Sequence, residues 1–174
     1  RQAMQYLIDR DFVINTIHKG DASPKILFFG RYDADYAYVA DIGEALLSKY
    51  AYNFDKANQL VSTALSSAGA VKGTDGKWYK EGKPITISGF IRNDDPIRKQ
   101  IGDAFATDLE KLGITVTRNY GDLNKAYADV YGSDPIEGIW HFYTEGWRAG
   151  ALSKFDTGGM PQMYAPYFGN MPGW

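Results

Sequence analysis

The sequence predicts an α/β fold: a parallel β-α-β-α-β core with additional N-terminal helices and a short hairpin. Three observations carry this reading. Residues 85–91 and 114–120 alternate with period two and are rich in Ile, Val and Thr, and residues 140–143 form a third, aromatic run, so three strands are expected. Two amphipathic segments, 96–112 and 123–130, separate them. Strand, helix, strand, helix, strand, joined by right-handed crossovers, makes a parallel sheet whose loops gather at one edge.

From the N-terminus, Met4, Leu7, Ile8, Phe12, Val13 and Ile17 recur at helical spacing, with Asp9 or Asp11 able to cap a second segment, so two short helices or one kinked helix are expected. Ser23-Pro24 blocks a helix, and the apolar run 26–29 fits either a strand or a loop crossing. Ile42, Ala45, Leu46 and Leu47 predict a short helix. Asn53 then caps a longer one over 54–68, expected to bury Ala57, Leu60, Val61, Ala64 and Leu65 and to stop at Gly69. The turn signals Gly73, Asp75-Gly76 and Glu81-Gly82-Lys83-Pro84 bracket a hairpin arm at 77–80. After the first long strand, Asp94 and Asp95 supply a cap and Pro96 a first helical residue; the stripe Ile97, Ile101, Ala104, Phe105, Leu109 and Leu112 faces the sheet until Gly113. Asp122 caps the next helix, which carries Leu123, Ala126, Tyr127 and Val130, and 132–135 form a turn.

In open α/β sheets ligands lie beyond the carboxyl ends of the strands. The stretch 140–148, Trp-His-Phe-Tyr-Thr-Glu-Gly-Trp-Arg, therefore brings polar and flat aromatic groups to the functional edge. Beyond it, 148–174 intersperses Gly and Pro with Met160, Met163, Tyr164, Tyr167, Phe168 and Trp174, too apolar for a solvated tail and too broken for regular structure.

Composition removes several function classes. The 19 Lys and Arg against 21 Asp and Glu leave no basic excess for nucleic acid or anionic lipid. With no Cys there is neither a disulfide nor a thiolate nucleophile, and His18 and His141 lack ligand-spaced companions, so no metal or cofactor is expected. No run reaches the roughly 20 apolar residues of a membrane span. Phosphate-cradling glycine patterns and the Gly-x-Ser-x-Gly elbow are missing too. The 13 Tyr, nine Phe and four Trp imply a large core or ring faces for binding. One enzyme chemistry fits: Glu145 as acid or nucleophile of a glycoside hydrolase, with Asp156 or Asp122 as second carboxylate. Against it, a glutamate in a polar loop is ordinarily solvated or capping.

The segment 1–10, Arg-Gln-Ala-Met-Gln-Tyr-Leu-Ile-Asp-Arg, resembles the R-x-A-x-x-Y-x-I-D-R signature of family 5 extracellular solute-binding proteins, the peptide, nickel and oligosaccharide receptors of ABC importers. Later pieces keep the family's order: Tyr52-Asn53 with Ala57, Leu60 and Ala68-Gly69; Asp75-Gly76-Lys77-Trp78 through Gly82-Lys83-Pro84; Leu109 with Gly113-Ile114; and Gly146-Trp147. The resemblance implies a periplasmic-binding-protein-like lobe over 1–147, inserted in a two-lobe receptor, with 148–174 leading toward the second lobe. It also implies an extracytoplasmic location, ABC permease partners and a cleft binding a peptide or an oligosaccharide. A start inside a helical pattern at Arg1 fits a fragment. Peptide-binding members commonly carry an Asp three residues after that Trp, where this chain has Gly150, which leaves an oligosaccharide equally open. The expected ligand-binding residues are Arg92, Tyr120, Tyr143, Glu145, Trp147 and Arg148, with Trp147 as a platform and Glu145 accepting hydroxyl hydrogen bonds. A protein interaction module built on 158–174 is the remaining alternative.

Overall fold

The computed structural model describes residues 1–146. The N-terminal pattern resolves into two short helices: a 3-10 helix over Gln2–Leu7, then α1 (Arg10–Phe12) running into a π turn over Val13–Ile17. Asp9 separates them, and its carboxylate accepts the Phe12 amide at 2.9 Å. Residues 20–30 form no strand and cross as a loop. Helix α2 spans Ala40–Lys49 and α3 spans Phe54–Ser67. Asn53 caps α3 by accepting the Lys56 amide at 2.9 Å. Ala57 and Val61 are buried as expected, but Ala64 is exposed, because the face of α3 that meets the first helix is narrower than the apolar pattern.

The hairpin signals produce a three-stranded antiparallel sheet, β1 (Val71–Lys72), β2 (Trp78–Lys80) and β3 (Lys83–Pro84), with β2 in the middle. Its anchor is Trp78, which is buried, donates Nε1–H to the Leu112 carbonyl at 3.1 Å and donates its own amide to Gly113 O at 2.8 Å. Gly69 and Gly113, with φ of 81° and 93°, end their helices in the left-handed conformation predicted for them.

The parallel sheet comprises β4 (Thr86–Arg92), β5 (Thr115–Gly121) and β6 (Phe142–Tyr143) in the order β5-β4-β6, so β4 is central. Helix α4 (Pro96–Lys111) connects β4 to β5; α5 (Leu123–Ala126), extended by a π turn to Tyr131, lies between β5 and β6. The predicted β-α-β-α-β core is present. Strand β6 is shorter than the aromatic run 140–143, since pairing covers only Gly89 with Phe142 and Phe90 with Tyr143. Flanking backbone bonds, His141 N to Ser88 O at 2.7 Å and Thr144 N to Phe90 O at 3.2 Å, extend the contact. The His141 ring adds another, its Nδ1 accepting the Ser88 amide at 2.9 Å.

Phe90 and Ile91, neighbours on β4, are 1% and 0% exposed, which shows the strand covered on both faces. One face packs Phe90 with Ala126, Val130, Trp140 and Tyr143. On the other, Ile91 meets α4 at Gly102. The larger cluster joins Tyr6 and Leu7 to Ala57, Val61, Leu109, Leu112 and Ile114.

Two expectations about α4 need correction. Its buried line is Gly102, Ala106, Asp108 and Leu109, whereas Ile97 is exposed and Ile101, Ala104 and Phe105 are half-buried. Small residues let the helix approach the sheet, with Ile97, Ile101 and Phe105 beside that contact and not in it, while Leu109 and Leu112 are fully buried as expected. The cap comes from Asp95 alone, accepting the amides of Ile97 at 2.9 Å and Arg98 at 3.2 Å. Asp94 is engaged elsewhere.

Candidate functional site

The carboxyl ends of β4 and β6 converge on one ion-pair cluster. Arg92, the last residue of β4, is 5% exposed, a depth at which a guanidinium must be both paired and hydrogen-bonded. Its Nε and Nη2 donate to Asp94 Oδ1 and Oδ2 at 2.6 and 2.8 Å, a two-pronged fork. Its Nη1 donates to Glu145 Oε2 at 2.8 Å. The Tyr143 hydroxyl donates to the same Glu145 oxygen. Glu145 Oε1 accepts the Gly146 amide at 2.7 Å and lies 3.3 Å from Arg98 Nη2. Arg98, whose Nη1 is 3.5 Å from Asp95 Oδ2, joins the first turn of α4 to the cluster. The Arg92 amide is satisfied by Thr144 Oγ1 at 3.0 Å.

Electrostatics follow from these contacts. The Asp94 fork holds Arg92 firmly protonated against the opposing effect of burial, and Arg92 in turn lowers the Asp94 carboxyl below its ordinary range. Burial, reinforced by the bond to Glu145, pushes the Tyr143 phenol well above its usual value, so it remains a neutral donor. Two guanidiniums face three carboxylates. Aromatic rings back the cluster: Tyr143 meets Phe90 and Tyr131 edge-on, with centroids 5.6 and 5.8 Å apart.

Of the residues expected at the site, Arg92, Tyr143 and Glu145 are brought together. Tyr120 lies with the α4 side of the sheet, where its hydroxyl donates to Asp103 Oδ1 at 2.6 Å and Lys99 Nζ sits 5.0 Å from its ring centroid. Trp147 and Arg148 fall outside the described residues, as do Asp156 and the whole segment 148–174. Asp122 caps α5 by accepting the Lys125 amide at 2.9 Å. The sequence reading missed Asp94, Arg98 and Thr144 as members of the cluster. Arg92-x-Asp94 at a strand end was the available signal for the first; Arg98 and Thr144 join through contacts 47 and 52 residues apart in sequence.

A second feature is a cavity of about 550 Å³ between the N-terminal helices, α4 and β6. Leu7, Phe12, Val13, Ile101, Phe105 and Phe142 supply apolar wall. Its polar groups centre on Asp108, which accepts from Tyr52 Oη at 3.0 Å and Lys111 Nζ at 2.8 Å. Burial and that bond push the Tyr52 phenol up to about 12. Among the described residues, no group of three or more His, Cys, Asp or Glu side chains is placed to hold a metal ion, and no helix is long and apolar enough to cross a membrane.

The fold is shared with several solved structures. NikA from Brucella suis, solved with Fe(III)-EDTA, superposes with a TM-score of 0.67 at 22% identity over 97% of this chain and 30% of its own. The oligopeptide-binding protein AppA from Bacillus subtilis, solved with a nonapeptide, gives 0.65 at 21% over 87% of this chain and 28% of its own. A periplasmic oligopeptide-binding protein from Thermotoga maritima, bound to mannohexaose, gives 0.54 at 22% over 75% and 24%. The chain thus spans less than a third of the length of these structures. A comparison with curated protein sequences returned no match. The model of bacterial extracellular solute-binding proteins, family 5 middle, matches residues 1–165, and the chain belongs to that family.

Proposed function

We propose that this chain contributes one wall of a ligand cleft in the receptor of an ABC importer, and that it captures an oligopeptide or an oligosaccharide without transforming it. The carrying observation is the cluster at the carboxyl ends of β4 and β6, in a chain that belongs to a solute-binding family. That edge is where an open α/β sheet receives ligands. A second lobe of the same receptor would close over it, and the permease would accept the closed form. On this reading the protein works outside the cytoplasm, which the extracellular description of its family supports.

A glycoside hydrolase fits the geometry poorly. Both Glu145 oxygens are engaged, one by Arg92 and Tyr143, the other by Gly146 N with Arg98 alongside, which leaves no free face for attack or proton delivery. For the same reason Glu145 acts through its neighbours more than as a direct acceptor of ligand hydroxyls. On this reading Trp147 and Arg148, singled out from the sequence, are proposed to make the ligand contacts instead.

Calorimetry with a pentapeptide mixture and with mannohexaose, on this chain and on a receptor that joins it to a second lobe, tests the reading. Binding to the two-lobe protein at least a hundredfold tighter than to this chain is expected. Equal affinity for both, or release of reducing sugar from aryl glycosides that stops in Glu145→Gln, would overturn it.

A further inference from the structure

From the placement of its guanidinium we infer that Arg92 is a positioning residue, which locks the loop after β4 and the loop after β6 into one rigid rim for the ligand. The inference rests on the receptor reading above. Strand β6 pairs with β4 through only two residues, too short a ladder to fix the chain that follows it. Beyond it only the Thr144 amide, bonded to Phe90 O, continues the ladder, so something else must hold residues 145–146.

Arg92 is placed to do so. The planar guanidinium uses one edge on Asp94, which precedes α4, and its remaining nitrogen on Glu145, which follows β6. A planar donor with both edges used fixes its two carboxylates relative to each other, which a lysine ammonium on a flexible stem does not. Around this fork the backbone is stitched as well: the Arg92 amide donates to Thr144 Oγ1, and the Gly146 amide to Glu145 Oε1. Burying such a charged group gains little over a packed apolar side chain, so its value lies in geometry.

Amide hydrogen exchange on the full 174-residue chain provides the test, with Arg92→Lys keeping the charge and Asp94→Asn removing one prong. In both variants the amides of Arg92, Thr144 and Gly146 should exchange at least tenfold faster, while those of Ala57 and Leu109 in the main core keep their wild-type rates. Affinity for whichever of mannohexaose or the pentapeptide mixture the two-lobe wild-type receptor binds should fall about tenfold in the same variants. Unchanged exchange at 144–146, or a rise matched in the core, overturns the clamp. If exchange responds locally but affinity does not change, the positioning role is overturned while the receptor reading stands. If neither probe binds wild type, the receptor reading fails for those ligands, and the exchange result alone decides whether the clamp exists.

Discussion

The two faces of the parallel sheet are built from alternate residues of the same strands, yet they end differently. On the α5 face, Phe90 and Tyr143 pack against Ala126 and Val130, and the layer is sealed at the strand ends by the Arg92 ion pairs. On the α4 face, Ile91 meets the backbone of Gly102, which also lines the apolar cavity under the N-terminal helices. One face is closed by charge; the other is left unfilled. A single strand can thus present a polar rim and an apolar hollow, because period two sends neighbours to opposite sides.

The largest expected effect tests whether β6 depends on the cavity face. At Gly89 a side-chain carbon would collide with the Phe142 ring, and that ring lies edge-on to Phe105 at 5.1 Å, so it cannot swing clear without disturbing α4. Gly89→Ala should destabilise the chain by about 3 kcal/mol in urea unfolding. A loss below about 1 kcal/mol would mean that the ring moves freely and that β6 is only loosely held.

A matched pair of substitutions compares the faces directly. Ala126 is fully buried on the closed face, whereas Ala104 lines the cavity. Ala126→Leu should cost about 2 kcal/mol through overpacking, while Ala104→Leu should stay within about 0.5 kcal/mol because the cavity can take the added volume. Equal penalties by thermal or urea unfolding would erase the contrast.

The smallest effects are pH effects of opposite sign. The Tyr52 phenol on the cavity side has its value raised in the folded chain to about 12. Its contribution is therefore fully present below about pH 10 and disappears as pH climbs through about 12. Asp94, on the clamp side, has a lowered value, so its contribution is present above the ordinary carboxylate range and fades as pH falls through its depressed folded value. Urea midpoints against pH should show Tyr52→Phe flattening only the alkaline limb and Asp94→Asn only the acid one. A change of either limb by the wrong variant would contradict the assignment.

How much of this could be read from the sequence depends on the range over which each feature is encoded. Asn53, Asp95 and Asp122 were legible as caps because a cap bonds to amides two or three residues on. That β4, β5 and β6 are parallel followed from alternation and crossover rules, whereas the central place of β4 did not. The buried line of α4 was legible only in part: Leu109 and Leu112 were expected and are buried, but hydropathy follows bulky side chains, and Gly102 and Ala106 have little to weigh. Their burial comes from close approach to the sheet, a tertiary fact. Arg92, Tyr143 and Glu145 were singled out by their position at strand ends, but that Arg92 bonds to the other two across 51 and 53 residues was not legible. Asp94 was read as a cap because it stands beside one.

Trp78 has a further consequence. Its indole holds the last turn of α4, its amide holds Gly113, and its carbonyl accepts Ile85 N, whose own carbonyl accepts Thr115 N at the start of β5. The small hairpin is thereby riveted to the parallel sheet at the end remote from the Arg92 rim. At that end the hairpin and the parallel sheet share one chain of backbone bonds, and Trp78, buried where they meet, is an ultraviolet-absorbing ring placed to report whether the two stay joined.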